Sequence, residues 1–311
     1  MNNKEPMRLF VFLPAVVALA LATRPSCEAQ TPAKPSTSTE SSSGFTEIES
    51  IQGTVNSSER LFKLDSTIGW DFNRRFGVFA GVPIYFVHVP ATTITSGTTT
   101  TTVPGASNNG LGNVYLGLNF RAPNPTLNYA GEITAGAPTG NSKRGLSSGR
   151  GTLDWDNRID HSFSRLTPFL EAGIGNTVPD SRLFTRAFTS LGFVAHFDEG
   201  AEWQLVRRVA VGASVYEIVP AGNQKVFSRL VAKGGAAQGA GKHGRVFETA
   251  AEASGNGLTR ENGASAFVAF DPSPVWRLEL GYTRSVTFDL NSFAFDLRMN
   301  VGRLLRPKKS S

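Results

Sequence analysis

The chain has 311 residues and a mass of 33.3 kDa, with 40% hydrophobic residues, 18% charged residues, 32 glycines and a formal net charge of +6. These values exclude a disordered chain and a collagen, and the lack of a second long apolar run excludes a helical membrane bundle. A single cysteine, Cys27, rules out a disulfide framework.

The N-terminus places Lys4 and Arg8 ahead of an almost wholly apolar run from Leu9 to Ala22, followed by small residues. That is the pattern of a cleaved secretory signal peptide over residues 1–29, with processing after Ala22 or after Ala29. The apolar run is too short to anchor the chain as a helix across a hydrocarbon layer of roughly 30 Å. Residues 30–44 carry nothing that could anchor them to a core and are expected to form a disordered tail. Beyond the leader the positive residues are scattered, apart from a short basic tail over 306–311. Nucleic acid is therefore no expected partner, and phosphate-bearing membrane surfaces fit better.

From about residue 60 the apolar residues recur with a period of two, the signature of strands. In 61–72, Phe62, Leu64, Ser66, Ile68, Trp70 and Phe72 oppose Lys63, Asp65, Thr67, Gly69 and Asp71. The same division recurs in 113–120, in 129–137 and in 292–301, where Phe293, Phe295, Leu297, Met299 and Val301 oppose Ser292, Asp296, Arg298 and Asn300. The apolar face is free of charge each time. Connections alternate in length: 73–75, 121–126, 164–167, 206–208 and 271–274 are tight, while 89–110, 139–151, 175–187 and 220–261 are long or glycine-rich. Short turns at one end and long loops at the other mark a transmembrane barrel, whereas a soluble sandwich has no reason to alternate in this way. Aromatic residues crowd the tight turns, with Phe72 and Phe76, Phe120 and Tyr129, Phe163 and Phe169, and Phe270 and Trp276 in flanking pairs.

The fold class expected over 45–305 is therefore all-β, a transmembrane antiparallel up-and-down barrel of about twelve strands. Eleven strands are well patterned, and the even count that closure favours selects Phe45–Gly53 as the twelfth. Both termini then lie in the periplasm. Glu199 interrupts the charge-free face of 191–205, and a bulge at Asp198-Glu199-Gly200 is expected to re-aim it.

The charges of the other face are expected to line the lumen: Lys63, Asp65, Glu132, Asp154, Asp156, Arg158, Asp160, Glu171, Glu202, Arg277, Glu279, Asp296 and Arg298. Asp154, Asp156 and Asp160 lie on an extended segment without the glycine a calcium loop requires, so no metal site and no cofactor is expected. His161-Ser162 is the closest histidine and serine pair, but neighbours in a strand point to opposite faces, and no catalytic residue is assigned. Lys143, Arg144, Arg150, Lys225 and Arg229, with Lys233, Lys242 and Arg245, fall in the long loops. They suit contacts to lipopolysaccharide phosphates, and equally serve as solvated loop charges.

Three segments carry a family resemblance: Gly110-Leu-Gly-Asn-Val-Tyr-Leu-Gly-Leu-Asn-Phe120, Ala130 to Asp160 with Pro138-Thr-Gly140 and Gly149-Arg-Gly151, and Ser214-Val-Tyr-Glu-Ile-Val-Pro-Ala-Gly-Asn-Gln224. Over about 45–303 the chain resembles the outer-membrane proteins grouped as "MetA-pathway of phenol degradation". The resemblance implies a barrel and the uptake of aromatic or other hydrophobic compounds. The role expected is thus a bacterial outer-membrane channel for passive uptake of small solutes, with outer-membrane lipid and lipopolysaccharide as partners. A non-channel structural or adhesive barrel, and a lipid-acting barrel hydrolase, are the alternatives.

Overall fold

The computed structural model describes residues 44–56, 59–96, 99–103, 105–124, 126–181, 183–230 and 246–304. The expected signal peptide, the tail over 30–43, the tail over 306–311, and Lys233, Lys242 and Arg245 lie outside the described residues. Eighteen strands follow in order. They are β1 (Gly44–Val55), β2 (Arg60–Asp71), β3 (Phe76–Val89), β4 (Thr92–Ser96), β5 (Thr99–Val103), β6 (Ala106–Leu111), β7 (Tyr115–Ala122), β8 (Asn128–Gly136) and β9 (Thr152–Asp160). Next come β10 (Leu166–Gly175), β11 (Phe188–Leu191), β12 (Val194–Val206), β13 (Val209–Pro220), β14 (Asn223–Ser228), β15 (Glu252–Asn256), β16 (Glu261–Ser273), β17 (Trp276–Ser285) and β18 (Leu290–Asn300).

Twelve of these close into one antiparallel ring: β1, β2, β3, β7, β8, β9, β10, β12, β13, β16, β17 and β18, with β18 returning to pair β1. The weakly patterned first strand completes the ring, pairing β2 from Gly44 to Val55 and β18 from Ile48 to Val55. Gly44, expected in the tail, opens it. Closure pairs each of the twelve ring strands on both sides, which is what lets strands cross lipid. The tight connections gather at one end, the turn end, together with the start of β1 and the finish of β18; the long connections occupy the loop end.

One ring position is shared. β7 pairs the lower half of β3 (Phe76 to Gly81) and β6 pairs its upper half (Ile84 to Val89). The line breaks at Gly112-Asn113-Val114. A Cβ at Gly112 would lie 2.5 Å from the Tyr85 ring, so only glycine lets that ring lie flat against the break. Thr139 takes up the freed groups, donating to Gly112 O at 3.0 Å and accepting from Val114 N at 2.8 Å.

The exterior is the apolar face read from the sequence. Ile68, Trp70, Leu116, Leu118, Ile133, Leu153, Trp155, Val215, Leu280 and Phe293 all stand exposed on it. Water-soluble monomers rarely expose apolar side chains over so wide a band. Trp70, Phe72, Phe76, Phe163, Trp203, Phe270 and Trp276 ring the turn end, and the Phe76 and Phe120 rings, and those of Phe120 and Tyr129, lie 5.0 and 5.9 Å apart. Phe169 departs from this girdle: it shares its register with Asp160 on the inner face, beneath the Arg158 guanidinium at 4.1 Å.

Glu199 corrects a second expectation. β12 runs without a bulge from Val194 to Gln204 against β13, and its single irregularity falls between Gln204 and Val206. Glu199 therefore stays on the outer face, between its register partners Leu170 and Val215, both of them exposed. Two ladders of regular hydrogen bonds outweigh the re-aiming of one carboxylate, because a bulge disrupts pairing on a strand bonded on both sides.

The hydrophobic core lies inside the barrel at the loop end. Leu61, Tyr85, Val87 and Val89 of the wall pack with Leu146, Val178, Ala187, Phe188, Val226, Leu230 and Phe247 of the loops. Phe188 stacks on Phe247 at 5.4 Å, and Phe288 meets Phe247 edge-on at 5.2 Å. β11, β14 and β15 form a small sheet above the ring that braces this plug.

Candidate functional site

The candidate site is the lumen beneath the plug. Alternation along each strand turns the expected charged residues inward, and they are joined there by Asp71, Arg121, Asp198, Glu261 and Asp271. Arg158 lies 3.3 Å from Glu171 and 3.7 Å from Asp160. Arg277 meets Glu279, Asp271 at 3.2 Å and Glu202 at 3.6 Å. Arg298 pairs Asp296 at 3.0 Å, and Ser50 donates to the same carboxylate at 2.6 Å. Lys63 pairs Asp65 at 3.5 Å, and Arg121 pairs Asp71 at 3.6 Å.

Across β9, β10 and β12, His196 bonds Asp154 at 3.0 Å and lies 3.9 Å from Asp156. Pattern alone does not single out His196, because only the register that sets it beside Gly173, and Gly173 beside Asp156, brings the three together.

The loop over 176–187 descends into the barrel and forms the plug's floor. Leu183 packs on Ala210, Phe267, Ala269 and Ala294 and sits over Gly281, where a Cβ would come within 3.1 Å of it. Thr185 is tied to β1, its N–H donating to Thr54 Oγ1 at 3.2 Å and its hydroxyl to Gln52 at 3.4 Å. Arg186 bonds Glu261, which also accepts from Tyr216 at 2.8 Å.

Asp180 is the hub of the plug. It faces Lys63 at 3.5 Å, accepts from the Tyr85 hydroxyl at 3.3 Å and from the Arg186 N–H at 2.9 Å, and lies 3.9 Å from Arg229. Burial alone would push its carboxyl up, but Lys63 and Arg229 more than offset that and hold it below the usual aspartate range.

Arg229 corrects the expectation that it reaches lipopolysaccharide. It is 4% exposed, lies 4.0 Å above the Tyr85 ring, and donates to Gly145 O at 3.2 Å, to Thr189 at 3.1 Å and to Arg186 O. A guanidinium offers five donors, and here they stitch three loops to one another rather than face solvent. Lys143, Arg144, Arg150 and Lys225 do stand at the exposed loop end, with Lys225 3.2 Å from Glu252 and Arg144 donating to Asn109 O at 3.3 Å.

Below the plug lies a cavity of about 580 Å³. It runs from Asp71, Arg121 and Asn300 at the turn end up to Val178, Asp180 and Arg229, and its walls set Phe79, Tyr85 and Tyr115 among charged side chains. His161 and Ser162 take no part: the imidazole meets the Phe163 ring at 4.3 Å and the hydroxyl bonds Thr167 at 3.0 Å.

Apolar exterior, closed ring and charged interior define a transmembrane β-barrel with an internal plug. No family model and no curated protein matches the sequence. Among solved structures the fold is similar to an outer membrane channel from Pseudomonas putida F1, at a TM-score of 0.51 and 10% identity, over 89% of this chain and 100% of that one. The NanC porin (TM-score 0.44, 7% identity, 81% of this chain and 98% of that one) and the CymD monoaromatic hydrocarbon channel (TM-score 0.41, 9% identity, 86% and 91%) are more distant likenesses.

Proposed function

We propose that this protein is an outer-membrane channel through which small solutes pass without energy input, with the plug as its adjustable constriction. The cavity beneath the plug carries the reading: it reaches the turn end, is walled by side chains that water and solutes can share, and is roofed by loops held through side-chain contacts rather than by barrel strands. An even strand number with both described ends of the ring at the turn end suits a bacterial outer-membrane barrel with that end in the periplasm. The sequence resemblance to the phenol-degradation family adds aromatic and other hydrophobic compounds as solutes, and Phe79, Tyr85 and Tyr115 offer ring faces to them. Lys143, Arg144, Arg150 and Lys225 at the loop end are proposed to meet lipopolysaccharide phosphates.

The test is solute flux into liposomes with and without the refolded protein, comparing neutral aromatics with sugars. Protein-dependent entry is the expected result; flux equal to that of bare liposomes for every solute would contradict the reading.

A further inference from the structure

We propose, resting on the channel reading, that the passage favours small organic cations, aromatic ammonium compounds in particular, over anions of the same size. The chain as a whole carries a net charge of +6, yet among the inward strand side chains acidic groups outnumber basic ones more than two to one. The basic groups are moreover already matched. Lys63, Arg121, Arg158, Arg277 and Arg298 each lie within 4.0 Å of at least one carboxylate, so little positive charge is left to face a solute.

The surplus gathers on β8 and β9. Glu132 and Asp156 are register partners, and Asp154 follows on the same face opposite Thr134. Like charges set directly across a ladder destabilise it unless something positive screens them. Among the described residues no lysine or arginine nitrogen lies within 4.0 Å of any of the three; Thr134 bonds Glu132 at 3.2 Å and His196 bonds Asp154 at 3.0 Å. One oxygen of Asp156 is enclosed and accepts no hydrogen bond.

Glu132 and Asp154 share the cavity wall with Phe79 and Tyr115, whose rings meet edge-on at 6.1 Å. A cation with an aromatic body can lay its ring on these faces while its charge tracks the carboxylates. A low-dielectric wall bearing one sign of charge concentrates counter-ions and repels co-ions. The preference is one of passage and needs no fixed binding site.

The experiment measures entry of benzyltrimethylammonium and benzenesulfonate into liposomes bearing the full-length protein, with glucose as the neutral reference. Both aromatic probes are permanently charged and close in size. The cation is expected to enter about tenfold faster than the anion, and the triple variant Glu132→Gln, Asp154→Asn, Asp156→Asn to bring the two within about twofold of each other. Heat-modifiable gel migration verifies that the variant is folded; should it fail to fold, the ratio of the unaltered protein decides by itself. Glucose entry with equal or faster entry of the sulfonate would overturn the cation preference and leave the channel reading standing. Absence of entry for all three solutes would overturn the channel reading, and the preference with it.

Discussion

The carboxylate of Asp180, on a loop that descends from the loop end, lies 3.5 Å from the ammonium of Lys63 on β2, their side chains 16% and 9% exposed. The contact joins plug to wall, and both residues line the cavity. Around it Tyr85, Arg186 and Arg229 complete a cluster whose members come from the barrel and from two separate loops.

Removing the acid should release the plug. Asp180→Asn leaves Lys63 with Asp65 alone and takes from the buried Arg229 the carboxylate beside it, a change that costs up to about 3–5 kcal/mol in comparable buried pairs. Single-channel conductance in planar bilayers is expected to rise several-fold while heat-modifiable migration stays normal. Unchanged conductance in a folded variant would show that Asp180 is no latch.

The latch has a defined pH response. A carboxyl whose pKa is lower in the native state than in the released one contributes stability in full above its ordinary value of about 3.9 and loses it as the pH falls through the native value. Conductance should therefore hold level from pH 7 to pH 5, as far as this group sets it, and rise only on acidification below about pH 4. The acid-induced rise should be absent from Asp180→Asn.

Gly281 and Leu183 offer a steric route to the same end. The Cβ of a side chain at 281 would stand 3.1 Å from Leu183 Cδ1, and valine adds two further carbons in a strand that otherwise accepts it well. Gly281→Val is expected to push the 176–187 loop away from Ala210, Phe267 and Ala294, raising conductance and protease access to that loop. A variant that is as closed and as resistant as the parent would place the plug's anchorage elsewhere.

Glu199 should be a liability in lipid. Acidic residues on the outward face of a spanning strand cost less than the 2–4 kcal/mol of a basic one at the midplane, so Glu199→Leu is expected to stabilise the folded barrel by about 1–2 kcal/mol. Denaturant titration in lipid vesicles measures it. A destabilised variant would point to a polar partner for Glu199 on the outside of the barrel.

Much of the barrel was legible because its cause is local. The period-two division of Phe62, Leu64, Ile68 and Trp70 against Lys63 and Asp65 follows from which solvent each face meets, and it survives intact. β1 was recognisable only by the need for an even, closed ring, since Glu47 and Glu49 blur its pattern. The plug was not legible. Leu183, Phe184, Ala187 and Phe188 put four apolar residues close together in and just after a segment between strands, which hints at burial, but nothing local says that Leu183 turns inward to Phe267 and Ala294. Arg229 misled for the same reason: a cation on a long loop reads as surface until tertiary contacts bring Asp180 and Tyr85 to it. Glu199 shows the converse, where regular pairing on both sides prevails over the side chain's own preference.

The chain's four tryptophans, Trp70, Trp155, Trp203 and Trp276, all stand on the outer surface, each at least 40% exposed. Their fluorescence in vesicles made with bromine-labelled acyl chains tests most directly whether lipid is the solvent of this barrel's exterior. Strong quenching relative to unlabelled vesicles is the result this structure predicts. Emission untouched by the brominated chains, with the protein folded and bound, would contradict it.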